Sequence, residues 1–154
     1  MKVFLSLLIP FLSLLSSCTK STIYSNYYIF NENKWHADST IIFEFNSLEN
    51  KKLNINLSIN YTVDYPFQNF YSSYSLLDSN KKIIDSKMIE FDLFDKKFGI
   101  PRGSGLLKQY TIDSLIFQID SLSKQSKYTF LIKQSMRKKT LNGINSIGLI
   151  ITND

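Results

Sequence analysis

Between Lys52 and Val63 the chain alternates: Leu53, Ile55, Leu57, Ile59, Tyr61 and Val63 are separated by single Asn, Ser and Thr residues. Successive side chains of a strand point to opposite faces, so this segment predicts a strand with one buried and one wet face. A helix would scatter the same six residues around its circumference. Shorter alternations recur at Ile41/Phe43/Phe45, Phe70 to Leu77, Ile89/Phe91/Leu93, Leu115/Phe117/Ile119, Tyr128/Phe130/Ile132 and Ile147/Leu149/Ile151. Turn signals separate them at Glu49-Asn50, Asp64-Tyr65-Pro66, Asp78-Ser79-Asn80, from Gly99 to Gly105, and at Asn142-Gly143. Neither βαβ alternation nor an internal repeat is visible. The pattern predicts an all-β fold, an antiparallel β-sandwich of about seven to eight strands. An eight-stranded barrel is the alternative, and helix is confined to a short turn at Ser121 to Gln125.

A different pattern precedes these strands. Met1-Lys2 is basic, Val3 to Leu15 is almost uninterruptedly apolar, and Ser16-Ser17 are small. A transmembrane helix needs about 20 apolar residues, so residues 1–17 have the order of a signal peptide instead. Leu15-Ser16-Ser17-Cys18 has the form of a bacterial lipobox. In a lipobox the cysteine thiol takes a diacylglycerol, the chain is cut before it, and the new amino terminus takes a further acyl chain such as palmitate. Cys18 is then the lipid attachment site; the alternative is a secreted chain cut nearby, with a bystander or buried thiol. Residues 18–34 read as the lipidated N-terminus and a tether, although Tyr24, Tyr27, Tyr28 and Phe30 have the character of a strand. Residues 35–154 read as a single domain.

A mature chain of about 137 residues suffices for one core burying roughly two thirds of its unfolded surface. Cys18 is the only cysteine, so no internal disulfide can support that core. Eighteen Lys and Arg against thirteen Asp and Glu give a net charge of +5. The excess lies in Lys51-Lys52, Lys81-Lys82, Lys96-Lys97 and Arg137-Lys138-Lys139. Blocks this short belong to solvated turns and make no nucleic-acid footprint; they attract anionic envelope polymers or head groups nonspecifically.

The chemistry on offer is sparse. His36, the sole histidine, stands in Trp35-His36-Ala37-Asp38, and no nucleophile, oriented base and oxyanion donors can be grouped around it. One Cys and one His do not supply a zinc site. Asp64, Asp85, Glu90, Asp92 and Asp95 include carboxylates of the kind a glycosidase pairs, yet Glu90 and Asp92 alternate with Ile89, Phe91 and Leu93 as the wet face of a strand does. The expectation is a non-enzymatic protein with no catalytic residue, no metal, no cofactor beyond the covalent lipid, and no small-molecule substrate. Gly99-Ile100-Pro101-Arg102-Gly103-Ser104-Gly105 lacks the spacing and lysine of a P-loop and suits a wide hairpin or bulged connection. Tyr65, Phe67 and Tyr71 are candidates for an exposed recognition edge, stacking on sugars or anchoring a partner protein. Arg102 is the charged residue of the glycine loop, should that loop be a contact surface.

Following Cys18 in order come Tyr65-Pro66-Phe67-Gln68-Asn69-Phe70-Tyr71, the glycine loop 99–105, the run from Tyr128 to Arg137, and the stretch from Leu141 to Leu149. Together they resemble the GldH family of gliding-motility lipoproteins from the Bacteroidetes, over nearly the whole mature chain. The most specific part is Gln134-x-Met136-Arg137 followed by Leu141-x-Gly143-Ile144-x-x-Ile147-Gly148-Leu149. One departure is the sequence after the glycine loop: the family usually has acidic and aromatic residues there, with a tryptophan before the loop, whereas here Leu106-Leu107-Lys108-Gln109 follows. The resemblance implies a lipid-anchored, non-enzymatic accessory of the gliding apparatus, which moves adhesins along the cell surface and is linked to type IX secretion. Its implied partners are other gliding or type IX secretion proteins, besides the membrane lipid. It also implies a hairpin end at Met136-Arg137 and Asn142-Gly143, where the planar fork of Arg137 suits an internal carboxylate clamp or a partner contact. Surface-exported lipoproteins of this phylum often carry an acidic cluster after the cysteine, whereas here Thr19-Lys20-Ser21-Thr22 follows, which implies the outer membrane facing the periplasm. A glycan-binding envelope lipoprotein is the alternative function, with a hydrolase a distant third.

Overall fold

The computed structural model describes residues 21–46, 52–120, 122 and 126–153. Its strands are β1 (Thr22–Ile29), β2 (Lys34–His36), β3 (Ile41–Asn46), β4 (Leu53–Thr62), β5 (Asn69–Leu77), β6 (Ile83–Asp92), β7 (Ser104–Leu106), β8 (Gln109–Ile119), β9 (Lys127–Gln134), β10 (Thr140–Asn142) and β11 (Ile144–Asn153). One sheet has the order β1-β11-β4-β8-β7 and the other β3-β9-β5-β6, while β10 and β2 form a separate two-stranded ribbon. Every pairing is antiparallel. The two large sheets share no strand pairing, so this is the expected sandwich and not the barrel.

The alternation in β4 does what it predicts. Leu53, Ile55, Leu57, Ile59 and Tyr61 are buried, and they meet Phe70, Tyr74, Leu76, Phe130 and Ile132 of the opposing sheet in one core. Aromatic contacts cross between the sheets, with Tyr74 stacked on Phe117 at 5.0 Å and Tyr24 against Phe45 at 5.6 Å. The other face of β4 is drier than expected, since Asn54 and Ser58 are also buried. A central strand is shaded by its neighbours, and amides close over it: Gln118 Nε2 donates to Asn54 Oδ1 at 2.6 Å, and Asn60 Nδ2 to Thr111 Oγ1 at 2.8 Å.

The tether is shorter than the sequence suggested. Within the segment 18–34, β1 pairs with β11 from Thr22↔Thr152 to Ile29↔Ser146, so the folded domain begins well before residue 35. An edge strand is held by its ladder and needs few buried side chains; only Ile23 and Tyr24 of β1 pack on the core. The signal segment, Cys18 and the Glu49-Asn50 signal lie outside the described residues. So does the turn expected at Ser121 to Gln125, apart from the buried Leu122.

Register sorts the connections into two ends. Ser21, Asn153 and the Asp78–Lys82 turn lie at one end, beside Leu53 and Ile119. Residues 63–68, 93–103, 107–108 and 135–139 lie at the other, beside Thr62, Asn69, Asp92, Gln109 and Gln134. The ten residues of β4 separate the two ends by about 33 Å.

Candidate functional site

The loops of the far end enclose a groove of about 620 Å³. Phe67, Tyr71, Met88 and Met136 form its apolar lining, and Ser135, Arg137 and Lys138 form the rest of its wall. One buried side chain shapes the basic side. Gln134 donates from Nε2 to the Lys138 carbonyl and accepts from the Met136 N–H through Oε1, both at 2.8 Å, so the loop is tied at two points and carries Arg137 between them. The Ser135 N–H donates to the Tyr71 carbonyl at 2.9 Å, and the Tyr71 N–H meets Met136 Sδ at 3.3 Å, which fastens this loop to β5. Gln134→Leu is expected to release both ties of this part-buried loop. The cost is about 1 to 3 kcal/mol and a Tm lowered by a few degrees, checked by thermal unfolding of the variant.

The aromatic side is set by the bend at Gly143 that leads from β10 into β11; the two strands pair with β2 and with β1 and β4, so the hairpin end expected at Asn142-Gly143 is corrected to a bend. Gly143 has φ +87°, and a Cβ there would come within 2.7 Å of Tyr65 Cα, so glycine lets the two backbones touch. Tyr65 is thereby buried. Its hydroxyl donates to the Asn69 carbonyl at 2.9 Å, its ring meets Phe67 edge-on at 5.9 Å, and burial pushes its phenol up from the ordinary tyrosine range. Its expected place on an exposed edge is corrected: Tyr65 supports Phe67 from below. Phe67 is half-buried and stands as a ridge, lining the groove on one side and two smaller hollows on the others.

Tyr71 is also half-buried, with its ring on the groove. Hydrogen bonds from Asn69 and Tyr71 hold the Glu90 carboxyl below the usual carboxylate range, and Glu90 in turn raises the Tyr71 phenol. Arg137 is exposed, and among the described residues it forms no ion pair. Among those residues no carboxylate clamps it, and the Arg137 side chain is exposed at the groove wall.

Arg102 is elsewhere, on the glycine loop. The Phe94↔Pro101 bridge closes a turn over residues 94–101, Arg102 follows it on the way into β7, and the buried Tyr61 hydroxyl lies 2.5 Å from the Leu93 carbonyl and 2.7 Å from that of Arg102. The Arg102 guanidinium reaches Asp95 at 3.9 Å and faces solvent. The structure thus brings Phe67, Tyr71 and Arg137 together and leaves Arg102 apart. Sequence reasoning missed Met88 and the role of Gln134. It also missed an exposed apolar set nearby, Phe98 and Ile100 on a loop, Leu106 at the end of β7 and Leu107 in the turn after it. The expected surface histidine is where it was placed: His36 is exposed, with Nδ1 3.0 Å from Thr140 Oγ1. Among the described residues no group of three or more His, Cys, Asp or Glu is placed to hold a metal.

A family model described as GldH lipoprotein matches residues 22–151. No curated protein matches the chain. Among solved structures the chain is similar to VP2 of the infectious bursal disease virus subviral particle, at 12% identity and a TM-score of 0.42, over 86% of this chain and 34% of that one. It is similar to dimeric latent PorU from Porphyromonas gingivalis at 13% identity and a TM-score of 0.37, over 91% and 14% of the two chains. A GH115 4-O-methyl-alpha-glucuronidase, BtGH115A, gives 10% identity and a TM-score of 0.45, over 90% and 18%. The chain therefore spans only 34%, 14% and 18% of these three proteins.

Proposed function

The chain belongs to the GldH lipoprotein family, and from that premise we propose that it is a non-enzymatic, membrane-anchored assembly part of the gliding-motility apparatus that works by protein contact. The observation that carries this reading is the placing of the groove. The described chain enters the fold at Ser21, and Phe67, Tyr71 and Arg137 gather at the opposite end of the sandwich. On this reading Cys18 carries the lipid. Each buried methylene contributes about 0.8 kcal/mol, so two or three acyl chains hold a protein stably on a bilayer. The segment from Cys18 to Thr22 spans at most about 14 Å. A short leash at one end and an open groove at the other suit a domain that is held on a membrane while it engages a partner. Among the described residues no helix is long and apolar enough to cross a membrane.

The groove suits a protein partner because it joins a lining of two methionines and two aromatic rings to an exposed arginine, residue types enriched at interfaces. The partners proposed are other gliding or type IX secretion proteins, and the place is the outer membrane facing the periplasm. A glycan is the second reading, favoured by the Phe67 and Tyr71 rings on one groove. Phe67→Ala with Arg137→Glu is expected to weaken partner affinity by at least about thirtyfold, roughly 2 kcal/mol. Gliding on agar should be lost while protein level and membrane fraction stay as in the wild type. Normal gliding by that variant contradicts the reading, and retention on envelope polysaccharide lost with Phe67→Ala would favour the glycan.

A further inference from the structure

Strand β5 runs inside its sheet, between β9 and β6. Phe70, Ser72, Tyr74 and Leu76 are buried, so the alternate residues Tyr71, Ser73 and Ser75 stand on the outer face. Two of these three are small. Ser73 lies between Lys133 of β9 and Met88 of β6, and Ser75 lies between Leu131 and Ser86. The serines floor a hollow of about 260 Å³ with Leu131 and Lys133 as its wall. The floor is fixed, since the Ser75 and Ser86 hydroxyls are 2.9 Å apart and Ser86 Oγ donates to the Tyr74 carbonyl at 3.0 Å. Met88, the cross-strand partner of Ser73, also lines the groove, so hollow and groove are neighbours on one face. They form a channel along β5 that runs about 13 Å from Ser75 to Tyr71 before it opens into the groove.

We propose that an extended segment of a partner protein lies in this channel, with a large apolar side chain in the groove and acidic side chains against Lys133 and Arg137. This occupant rests on the reading of the groove as a protein contact and gives that contact its chemistry. Charge selects the acidic side chains. Lys133 and Arg137 are exposed, and among the described residues neither they nor Lys138 form an ion pair. The Glu90 carboxylate, opposite Tyr71, accepts from Asn69 Nδ2 at 2.7 Å and pairs with none of these cations. Width selects an extended chain. The flanking strands β9 and β6 are two positions apart, about 9.5 Å, which takes one extended chain but not a helix of about 10 to 12 Å diameter. The methionines select a peptide over a sugar: Met88 and Met136 adapt to apolar side chains, while the Phe67 and Tyr71 rings are half-buried and offer no open stacking platform.

Selection from a displayed library of random peptides, on the full-length acylated protein in detergent micelles, tests this occupant. Enriched sequences are expected to carry Asp or Glu within a few residues of Leu, Met or Phe. For a synthetic peptide of the leading sequence, Lys133→Glu and the floor-filling Ser73→Trp are each expected to weaken affinity at least about tenfold. Lys108→Glu, the same charge change on the turn after β7, should leave affinity within about twofold because the two sites are screened from each other. Thermal unfolding of the variants shows that the sandwich persists. No enriched peptide, enrichment of peptides without carboxylates, or retention of an acidic oligosaccharide in place of peptide would each overturn the proposal. Binding unmoved by Lys133→Glu and Ser73→Trp but lost with Phe67→Ala would also overturn it, while leaving the groove a protein contact. The gliding assay of the Phe67→Ala, Arg137→Glu variant decides the motility reading separately.

Discussion

Leu57→Asp is expected to leave no folded domain at growth temperature. Leu57 is fully buried at the centre of β4, opposite Leu149 on one side and Ser114 on the other. Losing its burial costs about 1.5 to 3 kcal/mol, and a carboxylate without a partner in that core costs several more. A domain of this size has roughly 5 to 15 kcal/mol in total, so the change consumes most of it. Circular dichroism should show neither strand signal nor a cooperative melt, while Ile42→Asp, on the exposed side of β3, should melt close to the wild type. A Leu57→Asp protein melting like the wild type would mean that this face of β4 is not the core.

Cys18→Ser is expected to move nearly all of the protein from the membrane to the soluble or precursor fraction. On the proposed anchoring the effect is large, because the variant would lack two or more acyl chains and with them all of the roughly 0.8 kcal/mol per methylene that would hold the protein on the bilayer. Fractionation and a metabolic acyl label measure it together. Unchanged fractionation with no label on the wild-type protein would show that Cys18 is not the attachment site.

What the sequence made legible follows from how each element is held. β4 and β9 bury one face, so their alternation of apolar residues marked them, and the same holds for β3 and β11. β1 is held mainly by its ladder to β11, so its exposed Tyr27, Tyr28 and Ile29 gave strand-like residue types without an alternation, and the segment read as a tether. The β7–β8 hairpin was hidden for another reason. Its two-residue turn is Leu107-Lys108, at φ 52° and 69°, where asparagine and glycine are the usual occupants. Within the site, Phe67 and Tyr71 were found because exposed aromatic rings are candidates for recognition, and Arg137 came from the family resemblance. Tyr65 went the wrong way because its burial depends on Gly143, far along the chain. Gln134 was visible as part of a motif, but only the folded loop shows it bonding both Met136 and Lys138.

The central claim is that the groove at the end away from the tether engages the motility machinery. A photo-crosslinking amino acid placed at Arg137 of the full-length lipoprotein in gliding cells tests it directly, with the same group at Ser79, on the turn at the opposite end, as the reference. The account predicts that gliding or type IX secretion subunits are captured from Arg137 and not from Ser79. Capture of only abundant membrane proteins, or of the same proteins from both positions, would contradict it.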